Sequence, residues 1–230
     1  MHLFGAAPKI VHALLSLLMI ASTAGFCQER KLEPVDEAAA DPSWISFRNR
    51  LLNAVEKRDL KFVLSILDRN VRSSLNRQRG IPEFRKQWDV TAADSPLWRE
   101  LKAALFLGSA YLKRDKGPRE LCAPYLLAKW PQDLIPHDYG VIITRDVLVK
   151  AAPSSDAKTL QTLSYDIVAV TDWEVANQVP TEKQLWVKVQ VKSGEGYVPE
   201  EQVRSAIEHS ACFVKTESGW RMTGFAPAGG

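Results

Sequence analysis

Trp186-Val187-Lys188-Val189-Gln190-Val191 is the stretch whose reading sets the fold class. Its apolar residues recur with a period of two, which puts them on one face of an extended strand. Upstream, the same β-branched character returns in Gly140-Val141-Ile142-Ile143-Thr144, Val147-Leu148-Val149-Lys150 and Ile167-Val168-Ala169-Val170, each bounded by turn residues. Downstream, 211–215 and 220–225 read as two more strands, with Glu217-Ser218-Gly219 as a hairpin turn between them. Short strands at this spacing predict a small barrel or sandwich.

Toward the N-terminus the pattern changes. Pro118, Pro124, Pro131 and Pro136 disfavour helix interiors and central strands alike. Residues 116–138 therefore read as an extended connection anchored by Tyr125, Leu126 and Trp130. Before it the spacing is helical. Asp41-Pro42 marks a helix start, with Trp44, Phe47, Leu51 and Val55 on one face. Asp59 heads a second helix carrying Leu60, Val63, Leu64, Leu67 and Val71, and Ser95-Pro96 opens a third through Leu97, Leu101 and Leu105.

The first residues read as an export signal. Lys9 precedes an apolar run from Ile10 to Ile20, and the small residues Ala21 to Gly25 follow. That run is shorter than the roughly 20 residues needed to cross a bilayer. Cleavage after Ala24 or after Cys27 both fit, which makes residues 1–27 the signal peptide. Residues 28–41, charged and Ala-rich without an apolar period, read as a flexible leader. Phe26 departs from the small residue that a lipoprotein signal needs, so membrane contact is expected only if Cys27 is lipidated. The expected location is periplasmic or secreted. The mature chain keeps Cys122 and Cys212, which an oxidising compartment leaves either as a disulfide or as two buried thiols.

Four spaced elements carry a family likeness: residues 147–154 (Val147-Leu148-Val149-Lys150-Ala151-Ala152-Pro153-Ser154), residues 157–163, Trp186-Val187-Lys188-Val189, and the stretch from Gly194 to Pro199 that contains Gly196-Tyr197-Val198. In that order, residues 139–203 resemble the bacterial SH3-like domain family, with its N-V-R-x-x-P-S, W-x-K-V and G-x-x-G-[WY]-V stretches. Leu148 stands where that pattern has Asn, Lys150 where it has Arg, and the connection from Asp172 to Lys183 is long. The resemblance implies an SH3-like β-barrel that binds peptides, cell-wall fragments or protein surfaces, and it brings no catalytic residue.

The expected fold is thus α+β. A mainly helical domain spans 42–138, an SH3-like barrel 139–205, and a final β-hairpin at 206–230 packs back on the helical part. On this expectation the barrel is inserted near the end of a larger domain.

The chemistry of the chain points to binding. Hydrophobic residues at 46% and charged ones at 25% are those of an ordinary globular protein. Thirty basic residues against 27 acidic ones are interspersed, and the mixed stretches Arg69–Arg79 and Lys113–Arg119 read as solvated surface. No nucleic-acid partner is expected. The mature chain has two histidines, His137 and His209, neither with a second His or Cys at ligand spacing, so no metal or other cofactor is expected. His209 and Cys212 are near enough in sequence for a Cys/His pair, the one route to a hydrolase. No phosphate loop or nucleophile elbow accompanies them, and the chain is read as not an enzyme. The candidate binding residues are Tyr139, Trp173, Trp186 and Tyr197, aromatics in or beside the strands. The function expected is that of an exported, non-catalytic cell-envelope binding module for a protein, peptide or peptidoglycan partner. The alternative is a small-ligand or cell-wall-fragment binder with a pocket between the helical half and the barrel.

Overall fold

A computed structural model describes residues 30–75, 78–114 and 116–227; the expected signal peptide, residues 1–27 with Cys27, lies outside them. Asp41 caps the first helix, α1 (Pro42–Glu56), accepting a hydrogen bond from the Ser43 amide at 2.8 Å. Asp59 does the same for α2 (Leu60–Ser65) through the Phe62 amide at 3.0 Å. The helical spacing that runs on to Val71 is not followed beyond Ser65. The chain extends instead as β1 (Leu67–Arg72), because pairing with the last strand outweighs local propensity. Then come α3 (Ile81–Gln87), α4 (Leu97–Phe106), β2 (Ala110–Tyr111), β3 (Glu120–Ala123) and α5 (Leu126–Lys129). The strand-rich part comprises β4 (Tyr139–Ile142), β5 (Val147–Lys150), β6 (Thr159–Leu163), β7 (Ile167–Ala176), β8 (Leu185–Val191), β9 (Gly194–Pro199) and β10 (Val203–Arg204). It is followed by β11 (His209–Thr216) and β12 (Gly219–Pro227).

These strands form two sheets. The five-stranded sheet has the order β1-β12-β11-β3-β2, parallel only at β1–β12. The hairpin β11–β12 lies at its centre. Phe213, Trp220, Met222 and Phe225 face the helices and share a core with Trp44, Phe47, Leu51, Leu101 and Leu105. Trp44 is the hub: its ring centre is 5.1 Å from that of Phe213 and 4.9 Å from that of Trp220, both edge-on. The region expected to be mainly helical therefore supplies three strands of this sheet.

The seven-stranded sheet, order β10-β4-β7-β8-β9-β5-β6, corrects the barrel expectation. Closing a barrel requires the first and last strands to pair. Here β10 has two residues, pairs only with β4, and does not meet β6, so the sheet is open. The chain as a whole is mostly β, twelve strands against five α-helices among the described residues. The sheet nevertheless curls on itself. Ile142, Val149, Val168, Val187, Val189, Val198 and Val203, from six different strands, pack into one core on its inner face. Gly140 and Gly196 permit the curl. A Cβ on Gly140 would lie 2.6 Å from Val203 Cγ1, and one on Gly196 would collide with Val149 Cγ1.

A third cluster joins the two sheets: Ala110, Tyr125, Leu126 and Val141, flanked by Leu32, Val35 and Trp130. Residues 30–41, the described part of the stretch 28–41 expected as a flexible leader, serve here as a strap. The Leu32 amide donates to Tyr165 O at 2.8 Å and the Tyr125 hydroxyl donates to Leu32 O at 2.8 Å. Farther along, the Glu37 amide donates to Ser109 O at 2.8 Å, and Asp36 pairs with Arg48 at 2.9 Å. Cys122 and Cys212 face each other across β3 and β11 and are joined as a disulfide, with Cα atoms 4.1 Å apart.

Candidate functional site

The four aromatic candidates do not converge. On β8, Val187, Val189 and Val191 occupy the inner face, so Trp186 points to the outer one. It is 1% exposed, opposite Pro199 and Val175, and acts as a packed residue. Tyr197 is half-buried on the same outer face, opposite Lys188 of β8 and Lys150 of β5. Trp173 packs against the inner core and lies over Gly140. Tyr139 pairs with Ala169, whose other neighbour is Gln190, four residues along β8 from Trp186. At about 3.3 Å per residue and 4.8 Å per strand, that separates Tyr139 from Trp186 by roughly 16 Å. No single groove collects them.

His209 and Cys212 do not pair either. The Cys212 sulfur is taken up in the disulfide. His209 Nδ1 lies 3.5 Å from Glu100 Oε2, and its ring centre is 4.8 Å from that of Trp88. The His209 ring, assisted by Arg99, holds the Glu100 carboxyl down at about 2. Next to this pair, burial pushes the Glu208 carboxyl up, although Arg204 opposes the shift. Arg204 is buried, donates to His209 O at 2.8 Å and pairs with Glu208 at 3.5 Å. The cluster fastens β10 to β11 and to α4. Its charges are matched within the protein.

The sequence reading missed the outer face of the five-stranded sheet. In β3, Leu121 and Ala123 face the helices, which turns Glu120 and Cys122 the other way. Glu120 is 6% exposed there. Arg114 forms an ion pair with it and the Thr223 hydroxyl donates to it. Around it opens a cavity of about 200 Å³ lined by Asp68, Asn70, Arg72, Arg79, Arg114 and Thr223, with Pro118 and Val214. Glu120, Cys122 and Cys212 also form a compact trio, but the two sulfurs are bonded to each other and are not thiolate ligands.

The geometry of β1 builds this pocket. After Arg72 the chain turns back through an isolated antiparallel bridge between Arg72 and Arg79, and the Gly80 amide donates to Val71 O at 2.8 Å. Gly80 holds φ at 103°, which a side chain would strain. The Arg72 guanidinium lies over Gly224 of β12: a Cβ at 224 would sit 3.6 Å from its Nε and Nη2. Arg72 and Arg79 form no ion pair among the described residues, whereas Arg114 is answered by Glu120. A second groove, at Glu37, Asp41, Tyr111, Arg119 and Lys215, differs in this respect. There Lys215 pairs with Asp41 at 2.9 Å, and the Arg119 guanidinium lies 3.9 Å from the Tyr111 ring centre.

The two stretches read as solvated surface, Arg69–Arg79 and Lys113–Arg119, thus meet at one pocket. The signal that points to it is Glu120-Leu121-Cys122-Ala123, where an acidic residue and a cysteine share one strand face. Compared with protein-family models, curated proteins and solved structures, the chain finds no match.

Proposed function

We propose that this chain is an exported, non-catalytic binding protein, and that its recognition surface is the arginine pocket on the outer face of the five-stranded sheet. The observation that carries this is the pair Arg72 and Arg79, two guanidiniums facing an open cavity without carboxylate partners among the described residues. Ligand sites use a few polar or charged groups placed in a concavity to fix orientation, and these two guanidiniums are available for that role. The signal-like N-terminus and the Cys122–Cys212 bond support export, since structural disulfides belong to oxidising compartments. In such a place the partner is a peptide or a cell-wall fragment.

The test is retention of solubilised peptidoglycan fragments by the mature protein. Arg72→Ala with Arg79→Ala should abolish retention, and Trp173→Ala should leave it unchanged. Loss with Trp173→Ala and undiminished retention by the arginine variant would move recognition to the seven-stranded sheet and overturn the proposal. Export is checked separately by N-terminal sequencing of the protein recovered outside the cytoplasm, with cleavage expected after Ala24 or Cys27.

A further inference from the structure

If the arginine pocket is the recognition site, its charge and size also restrict what enters it. We infer that it takes the terminal carboxylate of a peptide chain.

The first observation is the Arg72–Arg79 bridge. Residues directly opposite in an antiparallel pair have Cβ atoms about 5 Å apart, and like charges placed there destabilise the pair. An oxyanion between the two guanidiniums removes that repulsion. Each guanidinium is a planar fork that matches a carboxylate bidentately.

The second observation is the charge of the lining. Among the described lining residues, three guanidiniums, of Arg72, Arg79 and Arg114, stand against two carboxylates, of Asp68 and Glu120. Arg114 and Glu120 cancel, and Asp68 accepts from the Asn70 amide at 2.7 Å. Among these described residues one positive charge remains, which one monoanionic group balances. A phosphate dianion would leave an excess negative charge beside Asp68 and Glu120.

The third is size. A cavity of about 200 Å³ is below the roughly 300–1,000 Å³ that encloses a whole organic ligand. It fits a head group whose chain continues into solvent. A peptide C-terminus has that form, a small planar monoanion at the end of an extended chain.

The experiment uses the mature protein with its disulfide intact, and three probes: N-acetyl-alanyl-alanine in L and D forms, the same dipeptides as C-terminal amides, and inorganic phosphate. Binding is read by calorimetry and by the arginine Nε–H resonances in NMR. The free acid should shift the resonances of Arg72 and Arg79 and bind at least tenfold more tightly than the amide, with phosphate weaker than the acid. Arg79→Gln, an exposed position, should weaken the acid about tenfold while the circular dichroism stays unchanged. Equal binding of acid and amide, both weakened by Arg79→Gln, would overturn the carboxylate assignment and leave the pocket standing as the site. Tighter binding of phosphate than of the acid would also overturn it, in favour of a phosphorylated ligand. If no probe moves either arginine, the pocket falls as the recognition site and the carboxylate falls with it.

Discussion

The two sheets solve the same burial problem in different ways. The five-stranded sheet covers one face with helices and leaves the other for polar work: Glu120, the disulfide and the arginine pocket. The seven-stranded sheet covers its inner face by curling, so its core is drawn from its own strands. A sheet covered by helices can keep its outer face open and fairly flat, which suits a pocket. A sheet that must curl spends its small residues on bending. That contrast accompanies the arginine pocket on the first sheet and the tightly packed Gly140 and Gly196 on the second.

The largest expected effect tests whether the cores are separate. Trp44→Ala empties the centre of the helix-covered core and should cost about 3–5 kcal/mol. Hydrogen exchange should quicken in β11 and β12 while Val187 and Val189 keep their protection. Equal loss in both sheets would mean that they share one core and would break the comparison. Next in size is Gly196→Ala, which forces a methyl group against Val149 at the bend and should cost about 1–3 kcal/mol. Its effect should be confined to the seven-stranded sheet and leave the near-ultraviolet signal of the Trp44 cluster unchanged.

The smallest effect concerns the joint between the sheets. Glu100 is held at about 2, below its ordinary 4.5, so its ionised form favours the folded state. That contribution is full above pH 4.5 and fades as the pH falls toward 2. Allowing for solvent screening, Glu100→Gln should lower stability at pH 7 by about 1 kcal/mol. The variant's urea midpoint should also fall less steeply between pH 5 and pH 2 than that of the unaltered protein. An unchanged acid slope would show that the His209–Glu100 contact has no bearing on stability.

What could be read along the chain was local. The Asp41-Pro42 start and the spacing of Trp44, Phe47, Leu51 and Val55 define α1 because capping and helical period act within a few residues. The alternation in β8 was legible for the same reason. Strands β1 and β3 were not. Leu67 and Val71 also satisfy a helical period, and β3 is four residues in a proline-rich stretch whose partner β11 lies some 90 residues away. The barrel expectation failed at a similarly distant point: similarity in strand motifs does not determine whether the edge strands meet. The pocket was hidden because Arg72 and Arg114 approach only when β1 joins β12, β12 joins β11, and β11 joins β3. Nothing within either basic stretch records that chain of pairings.

The bonded cysteines have a consequence for the engineering of the molecule. Ala123 and Ala211 are register partners beside them, so the chain leaves the five-stranded sheet and re-enters it at one spot. Everything from 124 to 210, the whole seven-stranded sheet included, behaves as a cassette with both ends on one hinge pin. A short turn from 123 to 211 would splice β3 to β11 as a plain hairpin and keep α1 to α4, the disulfide and the arginine pocket, while α5 would go with the cassette. The strap at Leu32 would lose its partner at Tyr165. Ala110 and Val35 would also lose Tyr125, Leu126 and Val141, so a replacement cassette would have to cover them.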